Sequence, residues 1–416
     1  MIALAIPFFF LLIGLELLLT HRIQGRREYR LADAVTDLSC GVGQQALGVF
    51  VSIALFFGYD FVATNWSFAA FAPSDPLAWI IAFVGVDFLY YWWHRLSHEV
   101  NILWAVHVVH HHSQDYNLAV ALRQAWFSGV TSWVFYLPLA FVGVPAAVFF
   151  SMVALSTLYQ FWIHTRAVRR CGVVEGILNT PSAHRVHHGI NPRYIDRNHG
   201  AILIVWDRLF GTYEPEGEEV VYGVVTPHQS WNPLWANFEY FAKILRMAKD
   251  APRAFDKLAV WWKAPGWKPR GLGAHEVPPP VDAKSFVKWD TPCPAALGWY
   301  VVLQYLPVVV ATFCVLWFSE VLGAPSQVAL VALLLFSTFV FGALLEGRAF
   351  APAAEVCRQF AIAAVALWFV GARAGELPLG IAIAGVCAVS AVAFWRVNSS
   401  VRVEHRAAPS QESTVV

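Results

Sequence analysis

The chain has 416 residues, of which 58% are hydrophobic and only 14% charged, with 19 tryptophans and a formal net charge of +1. That balance excludes the soluble globular class, and the lack of a basic face to meet a phosphate backbone excludes nucleic acid as a partner. Six cysteines stand apart with no C-x-x-C pair, which excludes a disulfide framework and a thiolate metal site.

The first apolar run, residues 2–20, has no basic region before it and no small-residue cleavage site after it, so it reads as a retained span and not a signal peptide. Arg22, Arg26, Arg27 and Arg30 follow directly and place its far end in the cytoplasm. Residues 38–63 return across the bilayer, and the loop to Pro76 carries Asp60 and Asp75 but no Lys or Arg. Residues 77–93 cross inward and deliver His94, 125–144 go out, and 146–163 come back with His164. From 165 to 291 the chain has the character of a cytoplasmic cap, closing with a proline-rich linker that begins at 277–280. Within it, 238–267 is amphipathic and reads either as a helix lying on the membrane surface or as one packed on the cap.

Four further apolar runs, 298–318, 328–345, 360–370 and 377–395, bring the total to nine, the third being short for a crossing. The fold expected is an all-α integral membrane protein of about nine transmembrane helices, with a cytoplasmic helical cap carrying part of a histidine-rich dimetal site. Its regions are N-terminal helices (1–76), a catalytic region with the cap (77–291), C-terminal helices (292–400) and a disordered tail (401–416). Arginine outnumbers lysine about threefold and alanine is abundant, pointing to a bacterial source and so an inner membrane, with the site on the cytoplasmic side that the arginines after the first span define.

Ten of the fifteen histidines form three clusters and one separate position: His94 and His98; His107, His110, His111 and His112; His164; and His184, His187 and His188. Residues three or four apart share a helix face, so each cluster aims two or three ring nitrogens at one point. Nine ligands, all of these but His112, are too many for one ion; two ions receive four or five each and keep positions open. Imidazole suits zinc, copper, iron and nickel alike. His112 points further round its helix and reads as a neighbour of the ligands, and His199 as a neighbour or a further ligand. His21, His228, His275 and His405 lack company and read as structural or surface residues.

Around this centre the candidate catalytic side chains are Glu99, Asp115, Tyr116 and Arg123. Neutral imidazoles leave the metal charge to be offset by an oxygen-derived anion, by water-derived hydroxide or by acids such as Glu99 and Asp115; Glu99 either orients an imidazole, stands near the metal, or is an ordinary solvated acid. Arg123 binds a lipid head-group phosphate or pairs with an acid. Trp92, Trp93, Trp104, Tyr116 and Phe161 line the approach from the bilayer. Asn179, Thr180 or Ser182 caps a helix whose first turn holds Pro181. No nucleophile elbow, P-loop or Rossmann fingerprint offers another chemistry.

The succession H-x-x-x-H, H-x-x-H-H and H-x-x-H-H resembles the fatty acid hydroxylase and sterol desaturase superfamily of membrane di-iron oxygenases, over about residues 87–215. The supporting text is Y-Y-W-W-H-R-L-S-H-E (90–99), D-Y-N-L with L-R-Q (115–124), Q-F-W-I-H-T (160–165), N-T-P-S-x-H-R-V-H-H-G (179–189), Y-I-D-x-N-H-G (194–200) and W-D-R-L-F-G-T (206–212). This text is most similar to the family's ether-lipid-cleaving branch, the monooxygenases of alkylglycerols, and W-W-K-A-P-G-W-K-P (261–269) and the helical C-terminal third are also similar to that branch, less specifically. The resemblance implies two iron ions held by His94, His98, His107, His110, His111, His164, His184, His187 and His188, with Glu99 close by. Zinc can replace iron in recombinant protein. It also implies O2-dependent hydroxylation of the carbon beside an ether oxygen, with tetrahydrobiopterin as reductant or, as in the wider superfamily, an electron-donor protein such as ferredoxin or cytochrome b5. Ala183, where relatives often have histidine, and His112, at a site usually small and polar, depart from the pattern. The rival enzyme reading is a sterol or fatty-acyl hydroxylase or desaturase with the same metal site. The rival without catalysis is a metal transporter or store, which would place its ligands near mid-bilayer and not at helix exits.

Overall fold

A computed structural model describes residues 2–371 and 377–407. The described residues are helical, with two isolated β-bridges and no named strand. The chain divides into two compact units, Met1–Trp289 and Asp290–Val416.

The first unit opens with α1 (Ile2–Leu18), which ends in a π-helical turn, Leu19–Ile23, before α2 (Leu31–Asn65) and α3 (Pro76–Glu99). Asp75 caps α3 by accepting from the Leu77 N–H at 2.9 Å, and Pro76 sits where no N–H is needed. A one-residue break at Val100 starts α4 (Asn101–His111). Two shorter apolar helices, α5 (Ser128–Val142) and α6 (Ala146–Trp162), form a hairpin at Gly143, whose φ of 95° and close approach to the Ala69 carbonyl leave no room for a side chain. Tyr59 of α2 stacks on Phe149 of α6 at 4.2 Å and fixes that hairpin against the long helices. Then come α7 (Pro181–His187), α8 (Val205–Phe210), α9 (Pro233–Asp250) and α10 (Ala254–Trp262). Expected to lie in 238–267, α9 and α10 pack on α4 through Ala105, Ile244 and Val260, and expose Leu245, Phe255, Leu258 and Trp262 on the far side.

The second unit holds α11 (Ala295–Trp317), α12 (Ala324–Leu345), α13 (Ala351–Gly371) and α14 (Leu377–Ala407). Here α13 begins nine residues before the apolar run 360–370, because Arg358 and Glu355 pair inside the unit at 2.7 Å. The pair, joined by Tyr300, Gln304 and Gln359, hides its charge from lipid although it interrupts the hydropathy pattern. Residues 401–407 continue α14, and the rest of the tail, 408–416, lies outside the described residues.

Among the described residues seven helices are long and apolar enough to cross a membrane, which makes this an integral membrane protein. The exact count of nine is not confirmed among the described residues: the two further apolar helices, α5 and α6, have 15 and 17 residues, or roughly 23–26 Å of helix, shorter than the ~30 Å hydrocarbon core.

Candidate metal centre

Nine buried histidines converge from four places in the first unit: His94 and His98 from the last turns of α3, His107, His110 and His111 from α4, His164 two residues beyond α6, and His184, His187 and His188 from α7 and its end. They sort into two groups, His94, His98, His107, His111 and His187 in one and His110, His164, His184 and His188 in the other, with donor atoms within 4.8 Å of one another in each. The clusters therefore do not each aim at a single point, as the spacing alone implied. Every i, i+4 pair (94/98, 107/111, 184/188) stays together, while the i+3 members, His110 and His187, cross to the opposite group. Helix geometry explains the split: i+3 and i+4 lie about 60° and 40° to either side of position i, so 110 and 111 diverge by about 100°. The groups adjoin where His111 stacks on His188 at 4.4 Å.

The far side of many rings is tied to a backbone carbonyl. The Nδ1 of His94 faces the His199 carbonyl at 2.8 Å, that of His110 faces Arg123 at 3.0 Å, that of His164 faces Gln160 at 2.7 Å and that of His187 faces Arg197 at 2.9 Å. A carbonyl only accepts, so each Nδ1 carries the hydrogen and each Nε2 presents a bare lone pair. Between His110 and His164 two such lone pairs then face each other at 3.1 Å. That contact is repulsive unless a cation accepts both. Burial disfavours a proton as that cation near neutral pH: it pushes His110 down to about 4 and drives His164 well below the ordinary imidazole value. The buried Nε2 atoms of His98, His187 and His188 likewise have no hydrogen-bond partner. The donor set fits a metal.

The loop 196–200 exists to aim two of these carbonyls. Asp196 and Asn198 take left-handed conformations, φ 56° and 58°, which Asp and Asn tolerate better than most residues. Asn198 secures the strained turn by donating to the Ala183 and Glu214 carbonyls, and buried Asp207 of α8 accepts from the His199 and Gly200 N–H groups at 2.7 and 2.8 Å. Replacing Asp207 with Ala is expected to loosen the five-histidine group and weaken its metal affinity about 10–100-fold, read by metal titration of the purified protein. Unchanged affinity would show that the loop needs no such anchor.

The other predicted side chains are placed as follows. Glu99 pairs with Arg95 at 2.9 Å on the partly exposed helix surface and belongs to neither group. Asp115 binds Arg30 at 3.0 Å and Lys288 at 2.6 Å, away from the donors. Neither acid balances the metal charge directly. Tyr116 is a wall, its ring 5.2 Å from His188 and its hydroxyl donating to the Ile163 carbonyl at 3.1 Å. Arg123 is buried and pairs with Asp37 at 3.0 Å, so it meets an acid and not a head group. Trp104 packs 4.9 Å from His98 and Trp93 packs 5.7 Å from His107, whereas Trp92 turns to Phe210 and Phe161 stacks on Phe9. Thr180 occupies the α7 cap position without a side-chain bond, and Asn179 donates instead to the Gly200 carbonyl at 2.6 Å. His199 is fully buried beside His98, its ring nitrogens unpartnered.

His112 stacks on His228, ring centres 4.2 Å apart and planes 6° from parallel, and His228 meets Glu239. His228 is thus buried company for His112, not the isolated residue its sequence position implied. Parallel rings send their lone pairs along parallel planes, so the two cannot converge on one ion as they stand. Sequence reasoning also missed Glu16, a buried acid within the apolar α1 that accepts from Leu118 N–H at 2.8 Å and from Tyr29 and Thr165, tying α1 to the site loops.

Acid should dismantle the centre. Burial, followed by neighbouring imidazoles, also lowers His107, His111, His184, His187 and His188. Their unfolded-chain value is about 6.5. Folded values are depressed, so the stability linked to neutral rings is complete above about pH 6.5 and is lost on acidification toward about pH 4, where His110 itself titrates. Bound metal should hold steady above pH 7 and fall through that window, measured by metal content after dialysis at each pH. Retention at pH 4 would contradict imidazole ligation.

The family model of fatty acid hydroxylases matches residues 79–212, the segment that carries all nine histidines. The human alkylglycerol monooxygenase is 39% identical over 363 residues, covering 85% of this chain and 80% of its own length. The Xenopus tropicalis protein of the same name is 36% identical, covering 85% and 79%. An ornithine lipid hydroxylase of Rhizobium tropici is 29% identical over 33% of this chain and 43% of its own. No solved structure matches. Two metal-ready imidazole groups at the exits of membrane helices, with likeness of this extent, make the chain a member of the fatty acid hydroxylase family alongside the alkylglycerol monooxygenases, and an oxygenase that hydroxylates lipid.

Proposed function

We propose that the nine histidines hold two iron ions and that the protein hydroxylates the carbon beside the ether oxygen of an alkylglycerol lipid. The observation that carries the metal reading is the pair of facing lone pairs on His110 and His164. Four ring-nitrogen contacts, 94/107, 107/111, 110/164 and 164/184, measure 2.9–3.1 Å. Donors this close could share one ion at a metal–nitrogen bond of about 2.0–2.1 Å, and imidazole would suit iron in that place.

When bound, the irons supply the activation of O2. The chain holds four of their ligands, His94, His110, His164 and His187, in one tautomer and excludes water with Trp93, Trp104 and Tyr116. Hydroxylation beside an ether oxygen gives a hemiacetal, which breaks to a fatty aldehyde and a glycerol lipid; one O2, two electrons and two protons are consumed per turnover. Tetrahydrobiopterin or a small electron-donor protein such as a ferredoxin or cytochrome b5 supplies the electrons. Arg26 donates to the Arg166 carbonyl at 3.0 Å and Arg30 binds Asp115, so the arginine-rich turn after α1 shares a face with the histidines. The positive-inside rule makes that face cytoplasmic, as in a bacterial inner membrane.

The test is the purified protein in lipid vesicles with an alkylglycerol, a reductant and O2. About two irons per chain and aldehyde formation matched to oxygen uptake are expected. Hydroxylated acyl chains or sterols without aldehyde would overturn the substrate, and lipid oxidation indifferent to metal removal would overturn the centre.

A further inference from the structure

The turn before α7 and helix α8 expose far more apolar surface than a watery cap tolerates. Val173 is 94% exposed, Leu209 67% and Ile177 59%, with Val174 and Phe210 beside them. These residues form one edge: the Ile204 N–H donates to the Ile177 carbonyl at 2.9 Å, and Arg208 reaches the Glu175 carbonyl at 3.3 Å.

Its depth follows from Asp87 of α3, whose carboxylate accepts from the Ile202 and Leu203 N–H groups and from the Trp206 ring N–H, at 2.8, 3.2 and 2.8 Å. Phe88 packs on Trp206 and Trp92 on Phe210, both at 5.0 Å. Asp87 stands seven residues before His94 in α3, or about 10 Å further into the span. Helix α8 is therefore pinned beside a membrane-crossing helix on the lipid side of the histidines. Its outer face carries Val205 and Leu209, and its inner face carries Asp207, which grips the loop that aims the His94 and His187 rings. Exposed Arg169, Arg170 and Arg208 accompany the edge with charge suited to phosphate head groups.

We propose that this edge is sunk in the leaflet on the histidine side, at the boundary of head groups and acyl chains, and is the surface where a lipid docks before reaching the centre. The occupant is the bilayer itself, because the edge is continuous with the lipid-facing side of α3. The docking role rests on the lipid-hydroxylase reading above; the embedding does not.

The embedding is tested in the full chain in phosphatidylcholine–phosphatidylglycerol vesicles, with p-benzoylphenylalanine placed at Val173, at Leu209, or at Arg193, whose side chain is 48% exposed in the acid-flanked 190–196 loop. Irradiation and mass spectrometry should find lipid adducts at 173 and 209 at roughly five times the yield at 193 or more. Equal yields, or none at 173 and 209, overturn the embedding. The docking role predicts that Val173→Glu with Leu209→Glu raises KM for vesicle lipid roughly tenfold while kcat stays within about twofold. An unchanged KM overturns that role, and because the crosslinking needs no turnover, a wrong substrate assignment leaves the first test standing.

Discussion

His110→Ala and His111→Ala, adjacent substitutions of the same type, should unload the centre differently. His110 belongs to the four-histidine group, and its removal leaves three donors; His111 belongs to the five-histidine group, and its removal leaves four. The expected metal content is about one ion per chain for His110→Ala and close to two, more weakly held, for His111→Ala. His110→Ala should lose lipid oxidation on the order of a thousandfold, since a bound ion is worth several kcal/mol to the reaction and about 1.4 kcal/mol corresponds to tenfold, whereas His111→Ala, which keeps both ions, should lose less. Metal analysis and single-turnover oxidation on the two proteins decide it. Equal metal loss in both would mean that the division into four and five donors is wrong.

That experiment turns on a feature only half visible in the sequence. The histidine spacings announce helical faces, and the arginines after the first span place them at one membrane surface, because both signals depend on local periodicity and composition. The assignment of each ring to its group depends on how α3, α4, α6 and α7 meet, which no spacing within one helix encodes. The four carbonyls that set the tautomers, on Arg123, Gln160, Arg197 and His199, belong to the backbone and leave no side-chain signature. D-R-N-H was nevertheless a clue, since Asp196 and Asn198 are residue types that accept left-handed backbone. Buried charge was misread for a related reason. Glu99 follows the histidine motif yet pairs outward with Arg95, while Glu16, Asp33 and Asp37 lie within long apolar helices and point inward. Hydropathy averages over both sides of a helix and cannot tell a lipid-facing position from one facing a buried arginine.

Arg123 is where that hidden charge matters most, and Arg123→Ala should be the most destabilising single change in the first unit away from the histidines. Its guanidinium donates to Asp37 at 3.0 Å and to the Val109 carbonyl at 2.8 Å, and lies 3.8 Å from Asp33, all out of solvent. Truncation leaves buried Asp37 without its cation and beside Asp33, which keeps Arg30 at 3.2 Å, at a cost of about 3–5 kcal/mol. It also frees the 120–123 turn whose last carbonyl orients His110. The variant should therefore unfold at lower temperature in detergent and lose metal first from the four-histidine group. Arg123→Lys keeps the charge but not the planar fork, and should fall between the variant and the parent protein. The decisive comparison is Arg123→Met combined with Asp37→Asn. If the loss comes from an uncompensated charge, removing both partners restores much of the stability that Arg123→Met alone forfeits. A double variant no more stable than the single one would assign the effect to the guanidinium's backbone contact at Val109 instead.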